Sequence, residues 1–407
     1  MYKTPPAGPR NTVNRAISGL FGALLLAASS SSFAATDTTI KVALFMPNSG
    51  PFASLGARQI NGMKLALDEA GHAAGGKKIE TVEIEEPTDV QAAVQKIKSI
   101  TTGGDRVDAL LGIFSASVGS AIRDQLHASK TITVITNTHI RNLTGSRKSP
   151  YIFRVSGTSW GLTQALPSWV VKKGVCKSIV TIASNYSAGQ EFGKYFAEGF
   201  EKAGGQVIDK LWPALGSTDF SSYLTKIGQA KPDCVYPWLN GPDAIRFVQQ
   251  FDQFGLKKQG IRIVGDAVTD PVTLQAQGLS AVGLYNVQPW DASQDNKVSK
   301  AFVAAYKKRY NADPDFHAFN GYIGTKALLA SIAGVKGQVG DTEAWRAALR
   351  ATSFPTPDGK NFAFAPETQT RRIGYSILEV VDLGGKPGFK FIGSLPQASD
   401  PGDDIVP

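Results

Sequence analysis

The chain has 407 residues, of which 42% are hydrophobic and 19% are charged, and this composition excludes a disordered protein. Its formal net charge is +9, and three of the basic residues lie before residue 16, which leaves +6 on the remainder. These charges are spread thinly over many Lys and Arg residues, so they do not predict a nucleic-acid partner. The length favours two or more domains.

The N-terminal segment is organised as an export signal. Lys3, Arg10 and Arg15 precede the apolar run AISGLFGALLLAA, and small residues follow up to Ala34. This predicts a signal peptide over residues 1–34, cleavage near Ala34 and a periplasmic location. The apolar run is shorter than the roughly 20 residues of a membrane span, and no cysteine follows it within reach of the cleavage site. We therefore expect a soluble mature protein without a lipid anchor.

A short β-branched strand, a loop and a helix of period 3.6 recur along the first third of the chain. The predicted strands are IKVALFM, KIETVEI, VDALLGIF and TITVIT. The pattern starts again after YIFRV, with the strands SIVTIAS, QVIDKLW, CVYPW and IRIVGDA. Each series predicts a parallel sheet covered by helices, and two such lobes enclose a cleft.

The last third of the chain is predicted to connect the two lobes again. Two long helices follow Asn286, one ending near Tyr310 and one running from Phe316 to about Ala333, and IGYSILEVV reads as a later strand. The predicted fold is α/β, with two doubly wound parallel-sheet lobes joined by three crossovers. Lobe 1 comprises 37–155 and 287–352, and lobe 2 comprises 156–286 and 353–400. The crossings are expected near 155–159, 285–290 and 352–362.

Six segments, in their order along the chain, carry a family resemblance. They are IKVALFMPNSGPFASLGARQINGMKLALDEA, LLGIFSASVGSAI, YIFRVSGTS, NYSAGQEFGKYFAEGFEKAGGQV, DFSSYLTKIGQAKPDCVYPW and FDQFGLK. Together they resemble the branched-chain-amino-acid type (type I) of periplasmic solute-binding protein, and most closely its aromatic-acid-binding members. The resemblance implies a non-enzymatic component of an ABC importer that captures a small carboxylate-bearing solute and delivers it to a membrane permease with ATPase subunits. We expect a monomer without a cofactor.

The stretch LLGIFSASVGSAIRD is predicted to hold the carboxylate of the solute. A helix N-terminus offers unpaired N–H groups and a partial positive charge to an anion, and it lies here beyond the carboxyl end of a strand. In the family, this loop and the loop after the next strand hold the substrate carboxylate. The matching positions are Ser115, Ala116, Ser117, Asn137, Thr138 and His139. The alternative is that the serines only cap the helix. His139 either pairs with the carboxylate as a cation or donates from a neutral ring.

The second lobe is expected to cover the rest of the solute. By position in the family, the contacts are Tyr186, Trp238, Asn240 and Asp266, with Trp160 after the first crossing and Phe52 and Leu55 from the first loop. For each aromatic residue the alternative is a packed core or hinge role. The expected mechanism is closure about the three crossings.

The stretch VGDAVTD bears on the class of solute. Amino-acid binders of this family pair the substrate ammonium with a Glu of the second lobe, whereas this chain offers only Asp266 and Asp270 there. A buried ammonium without a counter-charge is costly, so an aromatic acid without an α-amine, such as a benzoate-like or phenylpropanoid acid, is favoured. Branched-chain or other aliphatic amino acids are the alternative.

Two other classes of function are weighed beside this one, a hydrolase suggested by a short motif and a ligand sensor that shares the fold. Gly157–Gly161 fits the G-x-S-x-G pattern of a secreted α/β hydrolase with Ser159 as nucleophile, but only His317 follows it and no HGGG-type loop is present. A ligand-sensor domain would share the fold. The four His and two Cys have no close spacing, so no metal site is predicted.

The two cysteines begin strands that are expected to be neighbours. Cys176 and Cys234 precede the first and third strands of lobe 2, which are adjacent in a sheet of order 2-1-3-4-5. In an oxidising compartment they can form a disulfide, and the alternative is two buried thiols.

Overall fold

The computed structural model describes residues 39–144, 148–266 and 268–395. The predicted signal peptide and its cleavage site lie outside these residues. Within the described ranges, no helix is both long and apolar enough to span a membrane.

The strands and helices alternate along most of the chain. The strands are β1 (Thr39–Met46), β2 (Ala73–Ala74), β3 (Lys77–Glu85), β4 (Ala109–Gly112), β5 (Ile132–Ile135), β6 (Ile152–Arg154), β7 (Ser178–Ala183), β8 (Gln206–Leu211), β9 (Cys234–Trp238), β10 (Arg262–Asp266), β11 (Tyr285–Gln288), β12 (Tyr375–Asp382) and β13 (Pro387–Leu395). The α-helices are α1 (Ala53–Glu69), α2 (Val90–Thr102), α3 (Ala116–Ala128), α4 (Ser159–Lys172), α5 (Ser187–Lys202), α6 (Ser221–Ala230), α7 (Pro242–Gln253), α8 (Pro271–Gln277), α9 (Lys297–Tyr310), α10 (Phe316–Gly334) and α11 (Thr342–Arg350). Short 3-10 helices cover Gly50–Phe52, Arg141–Leu143 and Gly278–Ala281.

These elements build two α/β lobes, each around its own sheet. The first sheet has the order β2-β3-β1-β4-β5-β6, and the second has the order β13-β12-β11-β10-β9-β7-β8. In the second sheet, the run from β8 to β11 has the expected 2-1-3-4-5 order. The strands β4 and β5 are buried along their whole length, which explains why they read as unbroken apolar runs.

The sheets are mixed, whereas the sequence predicted parallel sheets. The short β2 pairs antiparallel with β3, and β12 pairs antiparallel with both β11 and β13. The β12–β13 connection is a tight turn in which the amide of Leu383 bonds the carbonyl of Lys386. A turn this short permits only antiparallel pairing, so β12 and β13 form a hairpin at one edge of the second sheet.

Helix α10 packs on the first lobe, where it crosses α1 at very short range. A Cβ atom on Gly62 would lie 1.9 Å from the carbonyl oxygen of Ala318, and one on Gly321 would lie 2.3 Å from that of Gln59. Only glycine permits this approach, because any side chain would push the helices apart. The crossing places the first turn of α10 beside the first lobe's loops.

The segment after α11 stays on the first lobe for longer than predicted. Phe362 and Phe364 pack in the core of the first lobe, and the amide of Arg371 bonds the carbonyl of Arg154 in β6 at 2.7 Å. The last crossing therefore follows Arg371 instead of lying within 352–362. We propose that lobe 1 comprises 39–155 and 289–371, and that lobe 2 comprises 156–288 and 372–395.

A disulfide joins Cys176 to Cys234, with Cα atoms 5.8 Å apart. It links the start of the second lobe's first strand to the adjacent β9, in which Cys234 pairs with Ile179 of β7. The two cysteines are therefore bridged, and they are not separate thiols in this structure.

Candidate functional site

A cavity lies between the lobes, where the carboxyl ends of both sets of parallel strands meet. Its walls are formed by Phe52, Phe114, Ala116, Asn137, Thr138, His139, Leu162, Tyr186, Ala188, Phe192, Trp238, Asn240, Asp266, Val287, Pro289, Phe316, His317 and Tyr375. This is the edge at which open α/β sheets bind ligands, because strand-to-helix loops and helix N-termini converge there.

Aromatic rings form a continuous chain around this cavity. Successive ring centroids lie 5.9, 5.1, 6.2, 5.8, 4.5 and 5.7 Å apart along the series His317, Phe114, Phe52, Tyr186, Trp238, Phe192 and His139. The series begins and ends on the first lobe and passes through the second. Such a wall offers edge and face contacts to a flat apolar group bound between the lobes.

Three helices start at the cavity wall. Ala116 lies in the first turn of α3, Ala188 in the first turn of α5 and His317 in the first turn of α10. The helices α3 and α5 have no side-chain cap, whereas Asp315 caps α10. Their N–H groups and dipoles favour a negative charge in the cavity, although its described lining residues include no Lys or Arg.

A strained turn places the start of α3. Gly112 has φ 143° and Ile113 has φ 65°, which is an uncommon conformation for a β-branched residue. A Cβ on Gly112 would lie 2.1 Å from the carbonyl oxygen of Phe45. The turn directs Phe114 into the cavity, and strain of this kind is concentrated at binding sites.

Two buried polar atoms in the first-lobe wall of the cavity have no hydrogen-bond partner among the described residues. They are Thr138 Oγ1 and His317 Nδ1, and the two residues are only 2% and 5% exposed. Burial, followed by the Arg58 guanidinium, lowers the pKa of His317 to about 3. The ring is therefore neutral near pH 7, with one donor and one acceptor nitrogen. Unpaired groups in a cavity wall are the atoms that a ligand would satisfy.

The other two residues of the loop after β5 have different surroundings. The Asn137 side chain is used internally, because it donates to the carbonyl of Phe114 at 3.2 Å and accepts from Gln59 at 2.7 Å. Burial, with a smaller contribution from Arg154, lowers the pKa of His139 to about 3. The His139 ring is therefore neutral near pH 7 in this structure.

A carboxylate that the sequence did not single out occupies the loop before α3. The amides of Phe114 and Ser115 both donate to Glu86, each at 2.6 Å. Burial raises the pKa of Glu86 to about 8 against the effect of these two donors. The N–H group of Ser115, a predicted solute contact, is thus taken by the protein itself, and so is that of Phe114. The N–H groups that remain for a solute at this helix begin at Ala116. The only signal was an acidic residue directly after a strand.

Leu55, Ser115 and Ser117 lie off the cavity wall. Leu55 is buried, with its Cδ1 atom near Gly241 of the other lobe. Ser115 is the N-cap of α3, but its side chain makes no capping bond, so the proposed capping role is not seen. Ser117 Oγ lies 3.1 Å from Ser187 Oγ at the start of α5. Leu55 and Ser117 therefore contact the opposite lobe and not the cavity.

Trp160 also lies off the wall. The Arg141 guanidinium lies over its ring at 4.8 Å from the centroid, and the Tyr195 ring packs edge-on at 5.3 Å. Because Arg141 belongs to the first lobe and the other two to the second, Trp160 contributes to contact between the lobes.

The cavity includes residues that sequence reasoning missed. They are Phe114, Leu162, Ala188, Phe192, Val287, Pro289, Phe316, His317 and Tyr375. Phe114 directly precedes Ser115, so the reasoning that indicated Ser115 could also have indicated Phe114. Phe316 and His317 enter through the α1–α10 crossing, which no local pattern reveals.

The two acidic residues of VGDAVTD have separate roles. Asp266 lines the cavity, whereas Asp270 caps α8 and accepts a bond from Arg58 at 2.7 Å. Asp270 is therefore already paired with a cation and does not face the solute.

Ser159 has no catalytic surroundings. It is fully buried, and its hydroxyl donates to Glu191 at 2.8 Å. A nucleophilic serine needs access to substrate and a histidine base, and the hydroxyl has neither in the described structure.

Sequence and structure comparisons agree on the family. The periplasmic binding protein profile matches residues 39–383. The chain belongs to the periplasmic binding protein family. This binding protein is 26% identical over 375 residues to the Leu/Ile/Val-binding protein homolog 6 of Brucella melitensis, covering 91% of this chain and 95% of that one.

Two solved structures of solute-binding proteins resemble it over almost their full length. A solute-binding protein of an ABC transporter from R. palustris, in complex with benzoate, superposes with a TM-score of 0.83 at 27% identity, covering 89% of this chain and 98% of that one. Another from Rhodopseudomonas palustris BisB5, in complex with 3,4-dihydroxybenzoic acid, gives a TM-score of 0.82 at 26% identity, covering 89% and 99%.

This binding protein is therefore the solute-binding component of an ABC transporter. It is not an enzyme, which removes the hydrolase alternative. Proteins of this family work with membrane permease and ATPase subunits.

Proposed function

We propose that the solute is an aromatic carboxylic acid without an α-amine. The observation that carries this proposal is the chain of seven aromatic rings around a cavity whose first-lobe wall holds two unpaired neutral polar groups. An aromatic ring bound there buries its faces against other rings. These ring contacts contribute to the free energy of binding beyond the hydrophobic effect of the buried area. Relatives that bind benzoate and 3,4-dihydroxybenzoic acid support this class.

The carboxylate is proposed to lie on the first lobe. There, the Thr138 hydroxyl and the neutral His317 ring can donate to it, and the uncapped N-terminus of α3 adds backbone N–H groups at Ala116. Hydrogen bonds to an ionised acceptor are about twice as strong as neutral ones. These donors and the helix dipole replace an arginine or lysine in the wall.

An aliphatic amino acid is the competing solute, since relatives are named for leucine, isoleucine and valine. Its ammonium would need acceptors at the opposite wall. Asp266 is the only carboxylate among the described lining residues, and burial raises its pKa to about 7. Burial therefore opposes the charged form of Asp266 that an ammonium would need as its counter-charge, and this favours the neutral ring of an aromatic acid.

Thermal unfolding of the mature protein tests the proposal. The protein is refolded from denaturant to remove carried-over solute, and then heated with benzoate, 4-hydroxybenzoate, 4-coumarate, leucine, isoleucine or valine. A ligand at about 1,000 times its dissociation constant adds about 4 kcal/mol and raises Tm by about 5 °C. Shifts with the aromatic acids alone support the proposal, and shifts with the aliphatic amino acids alone contradict it.

A further inference from the structure

The second-lobe wall of the cavity contains a carboxylate that two neighbouring side chains hold in place. Asp266 ends β10 and is 3% exposed, and it faces the cavity. The Tyr236 hydroxyl donates to its Oδ1 atom, and the Trp238 indole N–H is a second donor. Both donors come from the adjacent strand β9.

The packing around Tyr236 makes this arrangement rigid. Tyr236 is fully buried, and its ring stacks on Phe196 with centroids 3.6 Å apart. Trp238 in turn stacks on Phe192, with centroids 4.5 Å apart. Because both donors are clamped by aromatic packing, the orientation of the carboxylate is set before any ligand arrives.

The carboxylate retains capacity to accept. A carboxylate offers about four lone-pair sites, and two donors from β9 leave others for a ligand. The opposite wall presents donors to an anion, as argued above, so the cavity has a donor side on lobe 1 and an acceptor side on lobe 2. A ligand that satisfies both sides carries a carboxylate at one end and a hydrogen-bond donor at the other.

We propose that Asp266 accepts a hydrogen bond from a ring hydroxyl, which makes this protein selective for hydroxylated aromatic acids over unsubstituted ones. The inference rests on the proposed function, since it assumes an aromatic acid in the cavity. A hydroxyl is a neutral single donor, and one acceptor satisfies it. An ammonium has three N–H donors and a full charge, and the described wall offers it a single carboxylate, Asp266. Tyr236 acts as a positioning residue for Asp266.

The test compares benzoate with two aromatic acids that carry one additional hydroxyl group. Dissociation constants of the refolded mature protein are measured by calorimetry for benzoate and for 3- and 4-hydroxybenzoate, with leucine as a further ligand. The readout is the ratio of the benzoate constant to that of the tighter hydroxybenzoate. We expect a ratio of at least tenfold. In the complex with benzoate, a buried acceptor atom of Asp266 is left without a donor, and this weakens the binding of benzoate.

Substitutions test whether the ratio of the benzoate and hydroxybenzoate dissociation constants depends on Asp266. In Asp266→Ala the ratio falls to within about twofold of unity, while benzoate binding remains measurable. In Asp291→Ala, which removes a buried carboxylate outside the cavity wall, the ratio is unchanged. If Asp266→Ala does not fold, Tyr236→Phe is measured in its place. This change removes the hydroxyl that positions the Asp266 carboxylate, and we expect it to lower the ratio at least threefold.

The outcomes separate this inference from the proposed function. Equal binding of benzoate and the hydroxybenzoates, or a ratio that survives Asp266→Ala, overturns the role of Asp266 and leaves the aromatic-acid proposal standing. Binding of leucine without any of the three aromatic acids overturns both.

Discussion

Arg58 on α1 and Asp270 at the start of α8 form an ion pair between the two lobes, with Nη1 and Oδ1 2.7 Å apart. The same guanidinium lies 2.6 Å from Asp315 Oδ2 on its own lobe. Burial opposes ionisation of Asp270, but the nearby Arg58 charge outweighs it and lowers the pKa of Asp270. This pair stabilises the arrangement in which the lobes enclose the cavity, and solute binding depends on that arrangement.

Asp270→Asn is therefore expected to weaken solute binding more than it weakens folding. Asparagine still caps α8, and Arg58 retains Asp315, so the loss is confined to the charge between the lobes. A cost of about 1–2 kcal/mol corresponds to a dissociation constant roughly 5–30 times larger. Calorimetry with the bound aromatic acid measures it. Asp341→Asn, at the cap of α11, is the matched control, and an unchanged constant in Asp270→Asn would contradict a role for the pair in closure.

Thr138→Val tests the carboxylate site. The change keeps the shape of the side chain and removes an unpaired hydroxyl, so the unliganded Tm should stay within about 2 °C. Affinity for an aromatic acid should fall by about tenfold or more, since a hydrogen bond to a carboxylate is lost. Thr325→Val removes a buried hydroxyl that bonds the Gly321 carbonyl in α10 and should leave affinity unchanged. Equal affinities in the wild-type protein and Thr138→Val would place the carboxylate elsewhere.

Glu86 predicts a pH dependence of stability. Its pKa is raised to about 8 from an ordinary 4.5, so the folded state holds a proton that the unfolded state releases between these values. Protonated Glu86 contributes its full stabilisation of the folded state below pH 4.5, and this stabilisation is lost as the pH rises through 8. Glu86→Gln should therefore make Tm less dependent on pH between about 5 and 8. Glu85→Gln, at the adjacent exposed position, is the control. A slope in Glu86→Gln as steep as in the wild-type protein would show that Glu86 does not titrate there.

His139 predicts the opposite slope at lower pH. Burial lowers its pKa to about 3 from 6.5, so the unfolded state binds a proton that the folded state does not. Stability from the neutral ring is full above pH 6.5 and declines as pH falls toward 3, by about 1 kcal/mol per pH unit. Denaturant unfolding at several pH values should show His139→Gln losing less stability than the wild-type protein over this range. His72→Gln, at an exposed site, should retain the full slope.

The disulfide between Cys176 and Cys234 is expected to stabilise the second lobe without affecting the solute. It closes a loop over a sequence separation of 58, for which chain entropy predicts about 4 kcal/mol. The double variant Cys176→Ala/Cys234→Ala should unfold at a lower Tm and bind the solute with unchanged affinity. The same Tm in both proteins would show that the bridge contributes little to stability.

Much of the architecture could be predicted because it is encoded locally. The strand-and-helix alternation predicted two α/β lobes, and the helix periods predicted α9 and α10 close to their observed ends. The hairpin β12–β13 and helix α11 were not predicted in full, since short elements carry weak periodic signals. The third crossing was misplaced because Phe362 and Phe364 join the first lobe's core through contacts with distant residues.

The sequence by itself determined the edge at which the solute site lies, since loops that follow parallel strands meet there whatever their side chains are. Through the family resemblance it also indicated Asp266, Tyr186 and Trp238 as candidates. The tertiary structure decided which groups face the cavity. It bonded the Asn137 side chain to Gln59 and to the Phe114 carbonyl, gave the amides before α3 to Glu86, and brought His317 in through the α1–α10 crossing. Those outcomes depend on side-chain directions and on packing between elements far apart in the chain, and neither can be predicted from local periodicity.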